Sequence, residues 1–189
     1  MCPNAFQARL PGLMVCQFEE TLTMKGGRVM AEVKDLAKLE MFKPFSTSQL
    51  AEVAKITARK TFKRNAYIYE RGNRAKNLFV VSKGLVSLRR IEPGDKVGIA
   101  FETREPGTLF GAASFMQPQE YTLTAVCLKD TEVLAVDADK LSKLCEKDPL
   151  LGYRLMLKIA QIYFERYKTA KRNLYAMVHT PAVITALPG

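Results

Sequence analysis

Between Arg59 and Asp137 the chain never keeps one hydrophobic period long enough to build a helix, and that property most restricts its fold. Short apolar and β-branched runs are cut repeatedly by Gly, Pro, Asn and Asp, the pattern of strands joined by tight turns. TFKRNAYIYE, residues 61–70, reads as two short strands about Lys63 to Asn65. LFVVSKGLVSLRRI reads as two more about Lys83-Gly84, where glycine accepts a positive φ. Pro93-Gly94-Asp95 is a hairpin turn, the proline fixing φ near about −65° and the glycine tolerating the next position. VGIAFETRE, TLFGA, YTLTAVCL and TEVLAVD bring the total to about eight strands. No connection among them has the length of a helical crossover, which excludes an open parallel sheet. The spacing predicts a mostly β fold with flanking helices: an eight-stranded double-sheet jelly roll closed by a long C-terminal helix.

The flanks have a different period. Residues 1–32, with Pro3, Pro11, Gly12, Gly26 and Gly27, read as an irregular arm with one short ordered segment around Met14 to Phe18. Val33, Leu36, Ala37, Leu39 and Glu40 fit a short helical segment that Pro44 ends. Ser46 caps a second helix with Gln49 as its capping-box partner, and Leu50, Val53, Ala54 and Ile56 form its apolar face. Residues 137–146 return to helix, with Asp137 as cap and Leu141 and Leu144 facing inward. Pro149 suits the first turn of a longer helix running from Leu150 to about Val178, stopped before Pro181. The expected organisation is an arm (1–32), a jelly-roll domain (33–148), a long helix (149–178) and a tail (179–189). Tyr153, Met156, Ala160, Tyr163, Tyr167, Ala170, Leu174 and Met177 alternate three and four positions apart along that helix and carry no charge. Such a stripe is expected of a parallel coiled-coil-like contact, so a homodimer is the expected assembly, with packing along its own domain as the other reading.

Charge and composition remove whole classes of function. With 189 residues, the chain has room for one substantial core. No run approaches the length of a membrane-spanning helix, and the start, MCPNAFQARLPG, lacks the basic and apolar regions of a secretory signal. Cys2, Cys16, Cys127 and Cys145 have no CxxC spacing and are expected to be reduced thiols of a cytoplasmic protein. His179 is the single histidine, which sets aside histidine-based zinc sites and triads, and neither a Walker loop nor a GxGxxG fingerprint occurs. An enzyme is not expected, nor any cofactor or metal. The net charge is +10, and residues 151–189 hold six basic side chains against one acidic. That field favours anionic partners. Lys158, Arg166, Lys168, Lys171 and Arg172 are expected on the outward turns of the long helix.

The order of segments over residues 33–178 resembles the cyclic nucleotide-binding domain family. LFVVSKGLV (78–86) resembles its strand–glycine–strand segment, PGTLFGAASF (106–115) the opening of its phosphate-binding cassette, and YTLTAVC the strand that follows. The resemblance implies a ligand site at Gly111, Ala112, Ala113, Ser114, Tyr121 and Thr122. It also implies two charged anchors that this chain lacks: Ala112 stands where the family has an acidic residue, and Tyr121 where it has an arginine. Tyrosine offers one neutral hydroxyl in place of a charged fork. The backbone after Gly111, with Ser114, remains as a weak anion nest, and Arg104 or Arg71 are the arginines able to enter from another strand. Phe110 and Phe115 are expected in the core around the cassette.

Related regulators carry a helix-turn-helix after the long helix, and the residues beyond Ala176 are too few to build one. The expected function is a non-catalytic sensor or adaptor that binds a cyclic nucleotide or another small anion and relays it through the helix to an effector protein in trans. A ligand-free interaction scaffold and a nucleic-acid-associated dimer using the basic helix are the alternatives.

Overall fold

A computed structural model describes residues 30–179. The expected Met14–Phe18 segment, most of the arm and the tail lie outside the described residues. The chain enters at Met30, which bridges antiparallel to Ala58. It then forms α1 (Val33–Ala37), a 3-10 turn (Glu40–Phe42) and α2 (Thr47–Lys55). The capping box at Ser46 is complete: its Oγ accepts from Gln49 N–H at 3.2 Å and its N–H donates to Gln49 Oε1 at 3.0 Å. Gln49 Nε2 also donates to Asp148 Oδ2 at 2.7 Å, tying the first helices to the last. Thr57 Oγ1 donates to Val53 O at 2.7 Å and closes the C-terminus of α2, so the first strand starts at Thr57.

Eight strands follow: β1 (Thr57–Phe62), β2 (Tyr67–Tyr69), β3 (Asn77–Lys83), β4 (Val86–Arg90), β5 (Ile99–Arg104), β6 (Leu109–Phe110), β7 (Thr124–Cys127) and β8 (Thr131–Asp137). They make two antiparallel four-stranded sheets, β1-β8-β3-β6 and β2-β7-β4-β5, the jelly roll the turn spacing predicts. Gly84, at φ +94°, turns β3 into β4, and a Cβ there would lie 2.5 Å from Thr131 Oγ1. Only glycine fits. Asp95 N–H bonds Glu92 O at 3.0 Å across the Pro93-Gly94 turn, with Gly94 at φ +95°. Three strands, β5, β6 and β7, are shorter than the runs expected for them. Tyr121 stands ahead of β7, and its N–H bonds Asn73 O at 3.0 Å outside the ladder.

Two cores explain the apolar runs. In β3 and β8, Leu78, Val80, Leu134 and Val136 pack with the helices, whereas Phe79, Val81, Val133 and Ala135 face the space between the sheets. Strands buried on both faces lose the polar alternation of a half-exposed sheet. After β8, α3 (Ala138–Lys147) starts on Asp137, whose Oδ1 accepts from Lys140 N–H at 3.0 Å. Asp148 caps α4 (Pro149–His179) through Leu151 N–H at 3.0 Å. Leu151, Leu155 and Ile159 of α4 are buried with Met41 and Leu109. From Phe164 to Val178 every residue except Arg166 is exposed. No described helix is long and apolar enough to cross a membrane.

Candidate functional site

The cassette lies between the jelly roll and α4. Strand β6 ends in Gly111, which takes φ +79° and leads into a 3-10 turn, Ala112–Phe115. A Cβ on Gly111 would sit 3.1 Å from both Asn77 O and Phe79 Cδ2, and the positive φ would strain any side chain there, so glycine suits the closure of the cassette on β3. Beside it opens a cavity of about 350 Å³. Gly111, Ala112, Ala113, Tyr121 and Thr122 line one side; Tyr163, Arg166, Tyr167 and Ala170 of α4 line the other; Tyr69, Leu88 and Glu102 complete it. Five of the six expected ligand-site residues are therefore brought together. Ser114 is not among the lining residues: it is fully buried, and its Oγ has no hydrogen-bond partner among the described residues.

Tyr121 is built into the fold. Its ring stacks on Tyr69 at 3.6 Å between centroids, and Phe79 and Phe110 extend the cluster. Its hydroxyl donates to Asn77 O at 2.9 Å and accepts from Asn77 N–H at 3.2 Å. Burial pushes its phenol up to about 12, against the opposing effect of the Asn77 bond, and burial raises Tyr69 further. Both rings are neutral at ordinary pH. Phe110 belongs to the core between the sheets, and Phe115 packs partly buried against the other.

The charges of this region come from elsewhere. Arg71 does not line the cavity: its Nη1 pairs with Glu92 at 2.9 Å on the surface. Arg104, at the end of β5, is buried. Its Nη1 donates to Thr103 O at 3.0 Å and its Nη2 meets the Glu102 carboxylate, but neither Nε nor Nη2 makes an aligned hydrogen bond among the described residues. Burial, and then the nearby Arg166 charge, push its guanidinium down to about 10, so it stays cationic at neutral pH. Arg166 Nη2 donates to Leu109 O at 2.7 Å, and its guanidinium lies 4.8 Å from the Tyr163 ring centroid.

This corrects the expectation of a continuous basic outer face. Arg166 turns back to the jelly roll, and Lys158, only 24% exposed in its side chain, lies 4.0 Å from Glu40. Lys168, Lys171 and Arg172 remain on the exposed half. The apolar stripe divides as well. Tyr163, Tyr167 and Ala170 line the cavity, while Tyr153, Met156, Ala160, Leu174 and Met177 are exposed. Sequence reasoning missed Arg166 as a lining residue, although it continues the buried row Leu155, Ile159 and Ile162 at helical spacing. An arginine in an apolar row was the available signal. Cys127 and Cys145 have thiols that burial pushes up, the condition of inert cysteines.

Comparison with known proteins gives one consistent result. Residues 59–148 match the model of the cyclic nucleotide-binding domain. The Cyclic AMP receptor protein of Thermus thermophilus is 28% identical over 103 residues, which is 54% of this chain and 47% of that protein. The chain thus spans about half the length of the curated relative it matches. Among solved structures, a candidate cyclic nucleotide-binding protein from Geobacter metallireducens GS-15 superposes with a TM-score of 0.66 at 25% identity, covering 73% of this chain and 99% of the other. The Catabolite Activator Protein of Thermus thermophilus shares the fold at a TM-score of 0.59 and 23% identity, over 73% and 62% of the two chains. Two four-stranded sheets, a glycine-led cassette and a long closing helix agree with these matches, and residues 59–148 are similar to the cyclic nucleotide-binding domain.

Proposed function

We propose that the chain is a non-catalytic sensor module whose cavity takes a small anionic ligand of the cyclic nucleotide class and whose α4 carries the response to a partner. The observation that carries this reading is that the cavity of about 350 Å³ has one wall in the cassette and the other in α4. An occupant touches both, so its binding energy depends on where the helix sits, the condition for a ligand to shift a conformational equilibrium. Ala112 and Tyr121 supply no charge, and each missing charged contact lowers affinity by about ten- to a hundred-fold. Weak binding is expected. Calorimetry and thermal unfolding with cyclic AMP and cyclic GMP test it. A saturable heat with a matching rise in Tm supports the reading; no heat at millimolar nucleotide at two temperatures, with an unchanged Tm, overturns it.

The exposed half of α4 is expected to pair with a second copy of the chain. An isolated helix of about a dozen residues is marginal in water, and this one leaves Phe164, Leu174 and Met177 uncovered. Parallel pairing would cover them and place the two cavities side by side. Leu174→Glu lies outside the cavity and is expected to convert a dimer into a monomer by light scattering while the jelly roll's circular dichroism stays unchanged. A wild-type monomer, or an unchanged dimer in the variant, refutes the pairing.

A further inference from the structure

A second cavity, of about 410 Å³, lies on the other side of Arg166, between the 40–42 turn, the β5–β6 turn and α4. Met41, Leu109 and Ile162 give it an apolar surface, and Arg104, Lys158 and Arg166 bring three cations to it. Of the sequence patterns that identify the first cavity, only PGTLFGAASF reaches this one, through Gly107, Thr108 and Leu109.

The cations are only partly neutralised: Arg166 has no carboxylate partner among the described residues. The Arg104 side chain is 9% exposed, yet its Nε and Nη2 lack aligned hydrogen bonds among the described residues. A buried donor without an acceptor is costly, and for a cation more so. Glu102 touches Nη2 but is itself 37% exposed and is a single carboxylate beside two guanidiniums. The carboxylates on the rim are shared: Glu40 pairs with Lys43 and lies 4.0 Å from Lys158, and Glu165 pairs with Lys168 at 3.1 Å. An acid group entering here would meet two guanidiniums that have one carboxylate partner, Glu102, between them among the described residues, in surroundings that strengthen charge-assisted bonds. The apolar side of the same cavity would favour a ligand with a hydrocarbon or ring body.

We infer that this second cavity is a binding site for a small amphipathic organic anion, its acid group on Arg104 and Arg166 and its apolar body against Met41, Leu109 and Ile162. It stands apart from the cyclic-nucleotide reading of the first cavity, and either can fail alone. Octanoate, octan-1-ol and inorganic phosphate are the probes, titrated into the full chain at constant ionic strength. Saturable octanoate binding is expected, at least about ten-fold tighter than octanol or phosphate and at least about ten-fold weaker in Arg104→Met. Gln161→Glu, at the exposed rim, adds a repelling charge without touching the core and is expected to weaken octanoate by about three-fold or more; it serves if Arg104→Met fails to fold. Octanol binding as well as octanoate, phosphate binding better, octanoate unaffected in both variants, or no saturable octanoate binding would each overturn the assignment.

Discussion

Tyr121 and Arg104 are polar side chains buried almost equally, at 4% and 7% exposure, the first lining the first cavity and the second lining the other. Tyr121, which the sequence resemblance sets at a charged position, is satisfied: its hydroxyl both donates to and accepts from Asn77, and its ring is stacked on Tyr69. Arg104 keeps its charge and is not satisfied, with two guanidinium nitrogens lacking aligned partners among the described residues. Burial alone therefore does not distinguish a structural side chain from one held ready for a ligand. The state of its hydrogen bonds does. The cassette wall is tied to the core through Tyr121 while it still lines the first cavity, and the second cavity is proposed as a site on the cation held between β5 and α4.

The largest test of that contrast is Phe110→Ala. Phe110 is 1% exposed and packs on Phe79 at 5.1 Å and Tyr69 at 6.0 Å between centroids. Truncating a buried phenylalanine costs about 3–5 kcal/mol, and a loss in that range by denaturant unfolding is expected. A loss under about 1 kcal/mol would mean the cassette wall is loose, and the contrast with β5 and α4 would fail.

How much of this was legible in the sequence follows the same division. The β3–β4 turn, the Ser46 capping box and the eight-strand count were readable because each rests on local chemistry: positive φ at Gly84, a hydroxyl three residues before Gln49, turns at regular spacing. The face of α4 that meets the domain was not. Two stripes run along that helix, and the longer uncharged one beginning at Tyr153 hid the shorter row through Leu151, Leu155 and Ile159 that is buried. The choice is made by Met41 and Leu109, which are distant in sequence. Arg104 was named as an arginine able to enter from another strand, but its burial was not legible, because β5 exposes Ile99 and Phe101 and buries an arginine, the reverse of the usual preference. In the cassette, the missing charges at Ala112 and Tyr121 were visible, but the filling of their space by a tyrosine stack was not.

Tyr121→Phe sharpens the comparison with a smaller effect. It keeps the ring and deletes the hydroxyl bonded to Asn77, so a loss of about 1 kcal/mol at neutral pH is expected. The pH dependence has a definite sign. The phenol is pushed up to about 12 in the fold, above its ordinary value of 10.0, so it stays protonated where the unfolded chain ionises. Its stabilising contribution is full below about pH 10 and is lost as pH rises toward 12. Wild-type stability should therefore fall more steeply than that of Tyr121→Phe above pH 10. Parallel curves would show that the hydroxyl is not buried in solution.

Arg104→Met should give the smallest change, and its sign matters most. Methionine fills similar space without charge, and removing a buried cation spares its desolvation cost, provided that the carboxylate left behind can reach water. Glu102, partly exposed, can be solvated once its neighbour is gone. The expected result is an unfolding free energy equal to or above wild type, in a protein that has lost its affinity for octanoate. A variant that is strongly destabilised would place Arg104 beside Tyr121 as a structural residue, and would remove the reason for reading the two walls differently. Stability retained together with lost binding is the outcome that only an unfilled ligand site produces, because a guanidinium that held the fold together would fail both measurements at once.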